Sequence, residues 1–245
     1  MSYSSAINES EWSINWLSPS KCTVLHVRPS GSSSNYVNFT YHIGSRPTDL
    51  SSVDSVTDLG VTYCNRLKFS MHVDHIVYKA SLRANLVLHC FQSRDRVLLS
   101  KAFCTFVRPI LEYSSAIRNP VYKYEIDKIE AVQRRFLKRL NGFFTLPYKS
   151  RLAKLGLDNL YSRRVKSDLV MCYKILNNQV CVDTDTLFTR RTVNLTRGHC
   201  AKLYKSRTVS VRDGNFFSNR VVNAWNSLPD VVVSPCSVAS YKHRL

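Results

Sequence analysis

The chain lacks any apolar run near the roughly 20 residues that a helix needs to span a bilayer, and its opening MSYSSAINESEW holds no apolar core of a secretion signal. The eight cysteines (Cys22, Cys64, Cys90, Cys104, Cys172, Cys181, Cys200 and Cys236) are scattered with no C-x-x-C pair, so neither a disulfide framework nor a zinc site is indicated. The expectation is an intracellular chain, in nucleus or cytoplasm and away from membranes, with reduced and mostly buried thiols. The sequons at Asn8, Asn38 and Asn194 are then chance matches, because glycosylation requires a secretory route. Seven histidines form no H-x-x-x-H pair, no Gly-rich phosphate loop occurs, and no Ser-, Cys- or His-centred catalytic motif appears. A complete enzyme of a familiar kind is not expected.

Acidic residues are also scarce: 17 Asp plus Glu stand against 35 Lys plus Arg, a net charge of +18 over 245 residues. The excess is uneven. Residues 1–60 carry 3 cations and 5 anions, 61–120 carry 9 and 3, 121–180 carry 13 and 5, and 181–245 carry 10 and 4. Everything after residue 60 is suited to meeting a polyanion, since attraction to phosphate is electrostatic and blind to base sequence. At 44% hydrophobic the chain can still bury one or two cores.

The fold class expected is α+β, mainly α. Thr23 to Val27, Val37 to Ile43 and Thr57 to Thr62 read as short strands of a small antiparallel patch, separated by turn-rich Pro29 to Ser34 and Gly44 to Asp49. From Val73 the period becomes helical, with Ile76, Val77, Ala80, Ala84, Val87, Leu88 and Phe91 on the same stripe and Leu82 and Leu86 on a second apolar face. Arg96 to Tyr113 and Ile126 to Leu140 supply two further helices. Pro147 opens and Gly156 closes a short one, and Asp158 is placed to cap another that Asn177-Asn178 ends. Residues 181–201 read as irregular and Leu203 to Val211 as a strand or ribbon. Phe217, Val221, Ala224, Trp225 and Leu228 make a final stripe stopped by Pro229, and a terminal helix begins near Ser237.

The run EIDKIEAVQRRFLKRL at 125–140 carries the sharpest functional signal. Ile126, Ile129, Val132, Phe136, Leu137 and Leu140 share one helical stripe, whereas Lys128, Arg134, Arg135, Lys138 and Arg139 lie on the other side. Such a face is either a solvated surface or a track for phosphates. Trp225 and Phe217 lie on an apolar stripe and read as core rather than as a base-stacking platform. Thr196 to Cys200 is a turn or an RNA contact, and His199-Cys200 with Cys181 has no recognised metal-ligand spacing.

Six segments in order resemble the carboxy-terminal part of reverse transcriptases of non-LTR retrotransposons, the jockey-like and related LINE elements. They are Trp16 with SKCTVL at 20–25, DLGV at 58–61 with Leu67-Lys68-Phe69, VRPILEY at 107–113, IEAVQRRFLKRL at 129–140, LGLDNLYSRR at 155–164 and FFSNRVVNAWNSLP at 216–229. The resemblance runs from about Glu11 to the end. It implies a remnant of the polymerase palm with a primer-grip hairpin at DLGV over 1–66, a helical thumb over 67–142 and a helical or mixed following region over 143–245. The site it implies is the thumb helix Arg134, Arg135, Lys138 and Arg139, with Lys68 beside the primer grip. The partners it implies are an RNA template, a primer–template duplex and the rest of the element's polymerase.

Two departures bear on chemistry. Strand extension needs metal ions clamped by closely placed carboxylates, which the family supplies from an Asp-Asp pair and an earlier Asp upstream of the matched segment. This chain has no Asp-Asp pair, so catalytic residues, metal ligands and a Mg²⁺ cofactor of its own are not expected; Mg²⁺ would belong to the missing palm site. The spacing from Trp16 to Lys21 is also short for the family, and Arg118 stands where an aromatic is usual, which reads as a surface change. The resulting expectation is a polymerase-derived chain that binds RNA, DNA or their hybrid without catalysis, or alternatively a nucleic-acid-binding module retained by a host.

Overall fold

A computed structural model describes residues 22–27, 41–43, 46–48, 50–191, 198–234 and 237–245, with backbone alone at 41–43 and 46–48. The architecture is α+β and mainly α, as the periodicity predicts. The chain divides into two compact units, Met1–Phe69 and Ser70–Leu245.

Among the described residues, the first unit holds three two-stranded ladders. β1 (Thr23–Leu25) pairs with β4 (Ser51–Val53) in parallel, β2 (Tyr41–Ile43) pairs with β3 (Arg46–Thr48) antiparallel, and β5 (Ser55–Asp58) pairs with β6 (Val61–Cys64) antiparallel. The expectation of a wholly antiparallel patch is therefore corrected for β1 and β4, and Arg46–Thr48 is a strand where a turn was expected. The expected strand Val37 to Ile43 survives at its end, its earlier part lying outside the described residues. Thr57 to Thr62 is not one strand: it folds on itself at Leu59-Gly60, where φ is 45° and 76°. Two successive positive φ values make the mirror-image turn whose twist suits a two-residue hairpin, and Gly60 adopts it without strain.

In the second unit, α1 (Ser70–Cys90) buries Val73, Ile76, Ala80, Ala84, Val87 and Leu88, the stripe read from the sequence. Leu82 and Leu86 face away, each 53% exposed. The stretch expected as one helix from Arg96 breaks in two, α2 (Arg96–Phe106) and α3 (Arg108–Glu112). Pro109 explains the break, since its ring nitrogen cannot donate to the preceding turn; Asp95 caps the start of α2, accepting from Leu98 N at 2.8 Å. α4 (Lys123–Lys138) follows, then α5 (Tyr148–Leu155), which Pro147 precedes and Gly156 ends at φ 62°. Leu157 N donates back to Leu152 O at 3.0 Å, closing that turn in the left-handed cap glycine favours.

α6 (Leu160–Leu176) is capped not by Asp158 but by Asn159, whose side chain accepts from Ser162 N at 2.7 Å. Asp158 instead pairs with Lys166 at 3.0 Å. The expected strand from Leu203 is reduced to an isolated bridge between Arg190 and Leu203, and two short helices, α7 (Thr184–Leu187) and α8 (Val211–Asn215), fall where none was foreseen. α9 (Phe217–Asn226), α10 (Asp230–Val233) and α11 (Val238–Arg244) complete the unit.

Two hydrophobic cores result. The first joins α1 to α5 through Phe103, Leu111, Ile129, Phe136, Leu137 and Phe143 and continues past Gly142 to Leu152 and Leu160. The second gathers Leu169, Cys172, Tyr173, Val221, Trp225 and Tyr241. Trp225 is 1% exposed and donates from Nε1 to Ala201 O at 2.8 Å, so it is core and not a stacking platform. Only Cys172 of the described cysteines is fully buried, and burial pushes its thiol up; Cys90, Cys181 and Cys200 are exposed, which corrects the expectation of mostly buried thiols.

Candidate nucleic-acid interface

α4 has two faces because its apolar residues recur at three and four positions. Ile129, Val132, Phe136 and Leu137 are buried, and Phe136 packs its ring 4.7 Å from that of Phe103. Two contacts set the helix against α1. Lys128 Nζ meets Asp74 Oδ1 at 2.6 Å and Arg139 Nη1 donates to Asn85 Oδ1 at 2.6 Å. Both join residues 54 apart in sequence, so α1 and α4 run in the same direction. The hydrogen bond that Lys128 donates to Asp74 raises the pKa of its ammonium above the ordinary range.

Arg134, Arg135 and Lys138 of α4 and Arg139 at its C-terminal cap are all exposed, and among the described residues none of the four is in an ion pair. They form two rows. Arg134 stacks its guanidinium 5.2 Å from the Tyr148 ring, and Lys138 sets its ammonium 4.6 Å from the Phe144 ring. Arg135 donates from Nε to Ala131 O at 3.2 Å, and Arg139 leans onto Asn85 of α1. Contacts with ring faces and neutral acceptors leave the charge of each group uncancelled.

The rows border a groove of about 370 Å³ between α1 and α4. Its floor is apolar, from Leu88, Val132 and Phe136, and Arg135, Lys138, Arg139 and Phe144 rim it. Phe144 is 69% exposed while its neighbour Phe143 is 1% exposed. Buried Arg151 fixes the segment between them and α5, reaching Arg134 O at 3.3 Å and Phe144 O at 3.5 Å. Sequence reasoning missed Phe144 and Tyr148 as members of this surface; the only signal was the doublet Phe143-Phe144, too short to show which ring faces out.

Behind the face lies a buried polar cluster. Glu130 accepts from the Tyr148 hydroxyl and from Leu160 N at 2.9 Å, and Gln133 donates from Nε2 to Tyr148 Oη and to Asp158 O, each at 3.1 Å. Burial, with the Glu130 carboxylate second, pushes the Tyr148 phenol far above its ordinary value. This cluster ties α4 to α5 and to the start of α6.

Lys68 belongs to the first unit and is exposed after β6, its backbone N donating to Cys64 Sγ at 3.1 Å. Arg118 is not a surface change. It is 1% exposed, and its guanidinium donates to Tyr113 O at 2.6 Å and Leu111 O at 3.1 Å, closing the carbonyl end of α3. Burial, and then the charge of Arg164, lower its pKa to about 10. Thr196 and Arg197 lie outside the described residues. Among those described, no group of three or more His, Cys, Asp and Glu is placed to hold a metal ion, and no helix is long and apolar enough to cross a membrane.

No family model and no solved structure matches the chain. It is similar to an uncharacterised protein of Caenorhabditis elegans, B0403.1, at 27% identity over 130 residues. The match covers 51% of this chain and 65% of that protein.

Proposed function

We propose that this chain binds nucleic acid through the exposed face of α4, in the manner of the thumb of a non-LTR retrotransposon reverse transcriptase, and that it performs no strand extension by itself. The observation that carries the reading is the set of four cations on α4, exposed and free of carboxylate partners among the described residues, beside an exposed aromatic ring. A phosphate backbone laid along the helix meets several of these groups at once, and each contact releases a counterion. The hairpin at Leu59-Gly60 and the helical order after it support the same reading. The setting proposed is intracellular, with an RNA template or a primer–template duplex as partner.

Mg²⁺-dependent chemistry belongs in this reading to the palm carboxylates, for which this sequence holds no Asp-Asp pair. Fluorescence anisotropy with labelled RNA–DNA hybrid, duplex DNA and single strands tests binding, with primer extension in Mg²⁺ or Mn²⁺ run in parallel. Salt-sensitive binding of the hybrid with no extension is the expected result. Absence of binding at low salt overturns the proposal, and steady nucleotide incorporation overturns its catalytic half.

A further inference from the structure

A second cationic feature lies elsewhere in the same unit, among α3, α6 and α11. A pocket of about 460 Å³ is lined by Glu112 and Ser115 near the end of α3, by Arg163, Arg164 and Lys174 of α6, and by Lys242 of α11. The lining also includes Leu245, and the one acidic side chain in it, Glu112, is already taken: Arg163 grips both oxygens of Glu112, with Nη2 to Oε2 at 3.0 Å, and Arg108 approaches it at 3.9 Å.

Arg164 is the unusual member. It is 3% exposed, and all three of its guanidinium nitrogens are buried with no hydrogen-bond partner among the described residues. The carboxylates that act on it are engaged elsewhere: Glu130 with Tyr148 and Leu160 N, Asp168 with Arg220, Glu112 with Arg163. Arg118, itself buried, is a second positive charge close enough to feel that of Arg164. Five unused N–H donors on a buried cation are among the least favourable arrangements in a folded protein unless an acceptor is supplied.

We propose that this pocket is a binding site for a phosphate-class oxyanion, held at its wall by Arg164 and at its mouth by Lys174 and Lys242. The chemistry selects the class. A planar guanidinium fork matches the paired oxygens of phosphate, and two ammonium groups at the rim complement a dianion better than a monoanion. The volume exceeds that of a bare phosphate and falls in the range of small-molecule sites, so the ligand is either inorganic phosphate or the terminal phosphate of a nucleotide. Ser115, 6% exposed on the pocket lining, adds a hydroxyl donor. The site draws on none of the four α4 cations, so it stands apart from the groove described above.

Thermal unfolding of the whole chain, with inorganic phosphate titrated at ionic strength held constant by sodium chloride, tests the proposal. The wild type is expected to show a rise in Tm that turns logarithmic in phosphate above the dissociation constant, about 4 °C at ten times that constant. Arg164→Met should abolish the rise. Lys174→Gln with Lys242→Gln changes only the rim, so it decides the matter if the buried substitution fails to fold; it should weaken the response at least several-fold. The variant with Arg134, Arg135, Lys138 and Arg139 all changed to Gln should keep the response in full. A trinucleotide with a 5′-phosphate, compared with its 5′-hydroxyl form and with inorganic phosphate, separates the two sources: a larger shift with the phosphorylated strand assigns the site to a nucleotide terminus, and a shift with the free ion alone assigns it to phosphate. A rise linear in phosphate concentration and shared by every variant is the general effect of an excluded salt and overturns the site. So does loss of the response in the α4 variant.

Discussion

Arg220 on α9 clamps Asp168 on α6 with two hydrogen bonds, Nε to Oδ2 at 2.8 Å and Nη2 to Oδ1 at 2.9 Å, while the same Nη2 reaches Ala116 O at 2.7 Å. The two side chains are 11% and 9% exposed. One guanidinium thus joins the helices of the second core to the segment that leaves α3. Removing one partner strands the other in low dielectric, whereas removing both can be nearly neutral. Asp168→Asn is expected to cost about 3 kcal/mol in urea unfolding, and Asp168→Leu with Arg220→Met clearly less than the two single changes summed. A cost below about 1 kcal/mol for the single change would mean that the pair behaves as a solvated one.

His72 on α1 is 1% exposed and sits near Arg118 and His75. Burial first, then those charges, lower its pKa from 6.5 to about 4. Between those values the unfolded chain takes up a proton that the folded one refuses, so stability falls as pH drops from 6.5 towards 4 and the loss levels off below. The full difference is about 3 kcal/mol. Urea midpoints taken from pH 7 to pH 4 should therefore decline, and His72→Leu should remove most of the part that falls between pH 6.5 and pH 4.5. An unchanged slope in that variant would assign the acid sensitivity to other groups.

Where one signal decides a local structure, the sequence showed it. The stripe Val73 to Leu88 reads as a helix because its period repeats over about four turns, and Gly156 reads as a stop because only glycine enters the left-handed cap freely. Where two signals compete, it did not. Asp158 and Asn159 both suit a cap, and Lys166, in the second turn of α6, draws Asp158 away. Leu203 to Val211 has strand-forming residues, yet Asn226 satisfies Leu203 in both directions, accepting from its N at 2.9 Å and donating to its O at 2.8 Å, and no ladder grows beyond the bridge. Of the candidate site, the charges on α4 were legible. Phe144 and Tyr148 were not, because their partners lie across a turn, and buried Arg118 and Arg164 were not, because arginine ordinarily marks surface.

Tyr148 allows support of the face to be separated from its chemistry. Its hydroxyl serves Glu130 and Gln133 behind α4, and its ring serves Arg134 in front. Tyr148→Phe deletes only the hydroxyl. It is expected to destabilise the protein by about 1–3 kcal/mol and to leave nucleic-acid affinity within a factor of two of the wild type. Tyr148→Leu, which removes the ring as well, should also weaken binding. If Tyr148→Phe lowers affinity as much as Tyr148→Leu, the ring contact with Arg134 has no part in presenting the cation.

The decisive measurement for the α4 face is the slope of log K against log salt, because it reports how many phosphates the protein neutralises and does not depend on which base is bound. Changing Arg134, Arg135, Lys138 and Arg139 to Gln keeps a good helix former at each position and removes all four charges. All four side chains are exposed and none anchors a core residue, although Arg139 gives up its bond to Asn85. The variant should fold with a Tm near that of the wild type and bind every duplex sequence more weakly. Its slope should flatten by about 0.9 for each phosphate of duplex DNA that is no longer neutralised. The control is a protein of equal net charge with Arg191, Lys202, Lys205 and Arg207 changed to Gln, positions in an irregular segment rather than along a helix. A backbone meets a helical row in register but meets scattered cations singly, so the control should keep far more of its affinity and slope. Equal weakening in the two variants would make total charge a sufficient cause and remove the support for α4 as the binding face.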